Sequence, residues 1–399
     1  MRRDVLLWIS FGCFMGLGMA GATLGPAWPH MRASFGLPLD ALGLLLLLGT
    51  VAATVSGIAM GRLTRRFGSL PVVAAAITGL GLALLVTGLS PAWPVTMLAG
   101  LFYGLFEAPI DAGLQTLTVL RRGVRAMSLL HASYGLGAVL GPLVLTGLLL
   151  EAFSWRVDYV VLAGIQGILL LLVLLSRRIW PGDPLEAAAA NTEKMQPAGS
   201  GELASPPRQG FTTAFLVIAL FFVDTGLELS AGQWAASYFI NGTAVGIGLA
   251  GVLVSCYWGG LSAARLAAGV VGHRITPARL LDLSLATTAL GVLAFSVFSK
   301  VILEAVGLIL MGVGLASIFP VLMQLTPSRT GRAGTVSAIG YQTAAGTLGA
   351  SLIPGAIGVV LQHWGLGLLG PLLAGLAALL ILLRILAGSR LGGASRRTA

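Results

Sequence analysis

Twelve stretches of about twenty or more mostly apolar residues recur along this chain, separated by short polar connections, and they limit its fold more than any other feature. A helix needs roughly 20 such residues to cross about 30 Å of hydrocarbon, and a chain in lipid must satisfy its backbone N–H and C=O groups internally. The pattern predicts helices over 5–28, 39–63, 70–89, 94–120, 126–150 and 159–176, then over 211–240, 245–272, 280–298, 301–326, 333–361 and 366–386. The fold class is therefore an all-α polytopic membrane protein of twelve transmembrane helices in two six-helix bundles. The bundles are expected at 1–176 and 211–399, joined by a polar, proline-rich linker over 177–210. Composition closes the alternatives: 10% charged and 56% hydrophobic residues leave too little polar surface for a soluble protein and too much apolar surface for a disordered one. Met1-Arg2-Arg3-Asp4 before an apolar run, with Ala20-Gly21-Ala22 beyond it, also has features of a secretory signal, but the run is long for one.

The net charge of +10 raises nucleic acid as a partner, and the placement of the cations removes it. With an even number of spans, both termini share one side. Nineteen of the 24 Lys and Arg fall on that side, and Arg32, Arg156 and Lys300 on the other. Cationic connections stay cytoplasmic, so both termini and the linker are expected in the cytoplasm of a multi-pass cell-membrane protein. Cys13 and Cys256 both lie in apolar runs and are expected as buried thiols, not a disulfide. The four histidines show no paired metal-ligand spacing, and no Gly-rich Lys-Ser/Thr phosphate loop is present. No metal, no cofactor and no enzymatic activity are expected.

The two halves repeat. Gly61-Arg62-Leu63-Thr64-Arg65-Arg66-Phe67 after the second helix parallels Gly269-Val270-Val271-Gly272-His273-Arg274-Ile275 after the eighth. Gly137 parallels Gly346, and Gln115 parallels Gln324, at nearly the same offset. A duplicated six-helix unit places a solute near the bilayer midplane, between the repeats.

Six plus six helices, a linker and the basic loop Gly61-Arg62-Leu63-Thr64-Arg65-Arg66-Phe67-Gly68 resemble the major facilitator superfamily over the whole chain. The resemblance implies alternating access by a monomer, with Gly61, Arg65, Arg66 and Gly68 as gating positions. The family usually has Asp where this chain has Arg65, which puts that gate's usual lock in doubt. Within the superfamily, Gly104-Leu105-Phe106-Glu107-Ala108-Pro109-Ile110-Asp111, Leu130-His131-Ala132-Ser133-Tyr134-Gly135-Leu136-Gly137 and Ala316-Ser317-Ile318-Phe319-Pro320 resemble the fucose-permease-like sugar:proton symporters. The first helix has no carboxylate where that group has a proton-handling Asp, so its coupling scheme does not transfer whole. Gly137-Ala138-Val139-Leu140-Gly141-Pro142 partly resembles a motif of proton-driven drug exporters.

Scarcity of charge makes the acids informative. Of 14, ten fall in connections or near helix ends, Asp158 among the former and Glu304 among the latter. Glu107 and Asp111 in the fourth helix, and Asp224 and Glu228 in the seventh, lie deep, each pair spaced i, i+4 and so on one helix face. Charges at that depth face a bundle interior or water. Two carboxylates one turn apart in poor solvation resist being ionised together, which suits a proton-exchanging pair. Glu107 and Asp111 are therefore expected as the proton-coupling residues; the competing reading is a buried hydrogen-bond network. Asp224, Glu228, Trp234, Tyr238, Gln115, Tyr341 and Gln342 are candidate solute-binding residues, although Trp and Tyr near a helix end also form the interfacial belt. His131 is a candidate gate residue. Arg265 is expected either to pair with a deep carboxylate and switch partners, or to hold a static pair or snorkel.

The function expected is proton-coupled transport of a sugar or related polyhydroxylated solute, with sodium as the other coupling ion to test. Proton-driven export of amphipathic compounds, and a non-transporting membrane sensor, are the competing readings.

Overall fold

The computed structural model describes residues 2–180, 211–243, 245–271 and 274–391, so most of the expected linker, 181–210, lies outside the described residues. Among the described residues, twelve helices are long and apolar enough to cross a membrane. They are α1 (Val5–Phe35), α2 (Ala41–Phe67), α3 (Ser69–Leu89), α4 (Trp93–Thr118), α5 (Leu129–Leu150), α6 (Trp155–Leu175), α7 (Thr212–Gly242), α8 (Ile247–Val270), α9 (Pro277–Val297), α10 (Val301–Gln324), α11 (Ser337–Trp364) and α12 (Leu366–Gly388).

Helix ends differ from the sequence expectation where local chemistry allows. α1 runs on through Pro26 and Pro29 to Phe35; neighbouring helices and side chains re-satisfy the backbone groups that proline frees in a membrane bundle. Helical backbone is continuous over Trp93–Leu150 and over Thr326–Trp364, so the α4–α5 and α10–α11 connections are themselves helical. Pro327 lies in the first turn of the latter, where its missing N–H costs nothing. Ser154 caps α6 by accepting from the Arg156 N–H at 3.4 Å, which starts that helix at Trp155. Asp158 is consequently a first-turn helical residue, fully buried, rather than a loop residue. Gly68 opens α3 with φ 83°, a left-handed conformation that glycine adopts at no steric cost.

The residues group into two compact units, one within Met1–Leu37 and Leu44–Glu202, the other within Pro38–Gly43 and Leu203–Ala399. In the first, α5 packs on α1 through Gly137, where a Cβ would lie 2.8 Å from the Met15 carbonyl carbon and 2.9 Å from the Met19 nitrogen. In the second, α11 packs on α7 through Gly349, where a Cβ would lie 2.8 Å from the Phe222 carbonyl carbon. The helix pairs match under the sequence repeat, and small residues let both backbones approach.

At the end of the first unit where α6 begins, the Trp155 indole donates to Ser34 Oγ at 2.7 Å. Arg156 lies over the Phe35 and Trp155 rings at 5.2 and 4.6 Å and donates to the Ser90 carbonyl. One of the three cations on the minority side thus closes α1, α3 and α6 together. Cys13 is buried, but Cys256 is exposed, against expectation. An apolar run in a bilayer has a lipid-facing side, so membership of the run does not imply burial in protein.

Candidate functional site

In the first unit, α4 carries Tyr103, Glu107, Asp111 and Gln115 at four-residue steps. Glu107 lies about 21 Å along the helix from Trp93, near the middle of α4. The Gln115 amide nitrogen donates to both Asp111 oxygens, at 2.8 and 2.7 Å, and so orients that carboxylate. Glu107 is half-buried. The buried Tyr103 hydroxyl lies one turn before Glu107 on the same helix. It has no hydrogen-bond partner among the described residues. Gly21 of α1 makes room for the rings of Tyr103 and of Tyr134 on α5: a Cβ there would lie 3.2 Å from the Tyr134 hydroxyl and 3.8 Å from that of Tyr103. The sequence spacing sets the two acids on one helix face; the Gln115 amide that holds Asp111 and the hydroxyls of Tyr103 and Tyr134 are added by the structure.

His131 is exposed on α5, its ring edge-on to Phe14 at 5.9 Å. Arg65 and Arg66 are exposed at the end of α2, with Arg66 lying over the Phe67 ring at 5.3 Å. Gly61 leaves the approach of Arg65 open, a Cβ there lying 3.7 Å from its Nη1. Gly68 donates to the Thr64 carbonyl at 2.8 Å and ends the turn.

In the second unit, Arg265 of α8 reaches α7. Its Nη2 is 3.3 Å from Glu228 Oε2 and its Nε donates to the Ala316 carbonyl of α10 at 3.0 Å. The Tyr257 hydroxyl donates to the Glu228 backbone carbonyl at 2.7 Å. Asp224, one turn before Glu228, is fully buried, and neither of its oxygens has a hydrogen-bond partner among the described residues. This unit thus gathers two carboxylates and one guanidinium about 18–24 Å along α7. Pairing with a deep carboxylate is common to the switching and the static-pair readings of Arg265. Tyr257 is the addition, signalled in sequence only by a polar-tipped ring in the same helix as Arg265.

Trp234, Gln342 and Tyr238 have hydrogen-bond partners elsewhere. Trp234 is fully buried and its indole donates to the Pro354 carbonyl at 2.9 Å. Gln342 is buried and accepts from Thr326 at 2.9 Å. Tyr238 opens a π-helical turn, Tyr238–Gly242, and its hydroxyl donates to Glu304 Oε1 at 2.8 Å. Glu304 is itself buried in the first turn of α10. Tyr341 is exposed. Among the described residues, no three His, Cys, Asp or Glu side chains gather as a metal site would require.

The family model of the Major Facilitator Superfamily matches residues 10–354. The chain belongs to that superfamily. This transporter is 24% identical over 336 residues to the glucose/mannose transporter GlcP of Bacillus subtilis (strain 168), a match covering 82% of this chain and 80% of that one. It is 27% identical over 359 residues to an uncharacterized MFS-type transporter of Yersinia pestis, covering 87% and 86% of the two chains. Two solved structures share its fold. A variant of the nucleoside transporter NupG superposes with a TM-score of 0.74 at 14% identity, covering 96% of this chain and 99% of that one. A bacterial homolog of the human lysosomal transporter Spinster superposes with a TM-score of 0.74 at 13% identity, covering 99% and 97%.

Proposed function

We propose that this superfamily member moves a sugar or related polyhydroxylated solute by alternating access, coupled to protons. The α4 stripe carries the reading. It is a mid-helix carboxylate pair in which Asp111 is held by Gln115 while Glu107 stays half-buried one turn from Tyr103. Carboxylates and amides bind sugar hydroxyls, and an acid accessible from the unit's interior takes up and releases a proton. The names of two similar proteins, a glucose/mannose transporter and a nucleoside transporter, point to solutes rich in hydroxyls.

In this scheme Glu107 exchanges the coupling proton and Asp111 sets its electrostatic surroundings. Asp224, Glu228, Gln115 and Tyr341 contact the solute, and Arg265 trades partners between Glu228 and Asp224 as the units rock. His131 and the 61–68 loop serve the gate. Trp234 and Gln342, whose polar atoms are already engaged, form framework, and Tyr238 joins them through Glu304. The termini and linker lie in the cytoplasm and the transporter works as a monomer.

The test is reconstitution into liposomes with an imposed proton or sodium gradient and a panel of hexoses, nucleosides and cationic dyes. Hexose or nucleoside uptake that follows the inward proton gradient is expected. Glu107→Gln should abolish accumulation and leave solute exchange. Dyes moving outward against the gradient, with no sugar flux, would replace import with export. Sodium-driven uptake would replace the proton. Binding without movement would make the protein a sensor.

A further inference from the structure

A second charged cluster lies in the second unit, far along its helices from Asp224 and Glu228. Asp282 is in the second turn of α9 and Arg384 is near the end of α12, and Arg384 Nη2 lies 3.0 Å from Asp282 Oδ1. Gly388, one turn after Arg384, leaves the space over which that guanidinium folds; a Cβ there would collide with its Nη1. Arg329, in the helical α10–α11 connection, approaches the same group closely enough for the two charges to repel. Burial and that repulsion bring Arg329 down to about 10.

The hydrogen-bond inventory of this cluster is incomplete. Arg384 Nε and Arg329 Nη1 are both buried and lack partners among the described residues. Asp282, 61% exposed, offsets only one of two positive charges. Exposed Arg279, one turn before Asp282 on α9, adds a third cation at the rim. Two guanidiniums that repel each other and keep buried N–H groups unsatisfied form a poor resting arrangement unless an anion supplies acceptors. Phosphate oxygens match the guanidinium fork, and the cluster sits at the cation-rich helix ends, where lipid headgroups lie.

We propose that Arg329 and Arg384, beside Asp282, form a binding site for a phosphate-bearing anion, supplied by the headgroup of an anionic phospholipid or as free phosphate. The site does not depend on the solute or the coupling ion.

The test uses the purified full-length chain, stripped of lipid in an uncharged detergent. It is titrated with short-chain phosphatidylglycerol, short-chain phosphatidylcholine and inorganic phosphate, and bound species are counted by native mass spectrometry. Saturable binding of phosphatidylglycerol or of phosphate is expected, without saturable binding of phosphatidylcholine. Saturation by phosphatidylglycerol alone identifies a lipid site, and saturation by phosphate as well identifies a site for the free anion. Arg329→Gln should weaken binding roughly ten-fold, the loss of one charge-assisted contact. Asp282→Asn should strengthen it, because the competing carboxylate charge is gone. If Arg329→Gln does not yield folded protein, Asp282→Asn decides the matter. Affinity unchanged or lowered in Asp282→Asn, or unchanged in Arg329→Gln, would overturn the site.

Discussion

The close packing of α5 on α1 and of α11 on α7 rests on single glycines, and replacing them tests the bundle architecture directly. At Gly137 an added Cβ would sit 2.8 Å from the Met15 carbonyl carbon, and nearer still to that carbonyl's oxygen. At Gly349 it would sit 2.8 Å from the Phe222 carbonyl carbon, with the Phe222 oxygen again closer. Ordinary contact begins near 3.4 Å, and the carbonyl oxygens are nearer than the carbons, so each helix pair must separate by on the order of 1 Å or more, and backbone atoms cannot rotate away as a side chain end could. Overpacking of this kind costs about 1–3 kcal/mol, and the helix propensity gained on going from Gly to Ala returns up to about 1 kcal/mol. The net loss expected for Gly137→Ala or Gly349→Ala is about 1–2 kcal/mol, a fall of roughly 2–8 °C in Tm for a unit of this size. Gly164→Ala is the control: nothing lies within 4 Å of its added Cβ, so Tm should hold or rise slightly. Thermal unfolding in one detergent, followed by tryptophan fluorescence, compares the three. Equal Tm values for all three variants would refute the close-approach reasoning for both helix pairs.

Three further outcomes follow from the hydrogen-bond partners. Arg265→Gln should destabilise by about 1–3 kcal/mol, less than a fully buried pair would lose because the Arg265 side chain is 36% exposed. Adding Glu228→Gln should recover most of that loss in a double-mutant cycle of denaturation midpoints, and strict additivity would show that the two groups do not interact. Trp234→Phe removes the donor to the Pro354 carbonyl and should cost about 1–2 kcal/mol in thermal unfolding while leaving the KM for solute unchanged; a large rise in KM would place the indole against the solute. Tyr238→Phe leaves Glu304, whose Oε2 already lacks a partner, without its donor and should lower stability by about 1–3 kcal/mol in the same assay.

Span number was legible because a bilayer imposes a length and a polarity that few other environments demand together. The acid pairs were legible for a related reason: charge is rare in such a chain, so Glu107 and Asp111, or Asp224 and Glu228, stand out at one-turn spacing. Hydrogen-bond partners were not. Nothing local distinguishes Tyr257, which reaches the Glu228 backbone, from any interfacial tyrosine. Asp158 reads as a residue of a connection and lies buried in a first turn because its helix starts at Trp155, before it; Glu304 lies near a helix start as the sequence indicates, but its burial and its bond from Tyr238 are set by packing.

Periodicity, the length of apolar runs and the sidedness of charge are properties of a single helix against its solvent. They determined the twelve spans, the repeat and the position of each acid pair within its span. Which side of a lipid-solvated helix meets protein is a property of two helices together, since lipid and a neighbouring helix are nearly equal in polarity and both accept apolar side chains. Only tertiary packing could therefore send Cys256 outward and Cys13 inward, give Trp234 to Pro354, and bring Arg265 to Glu228.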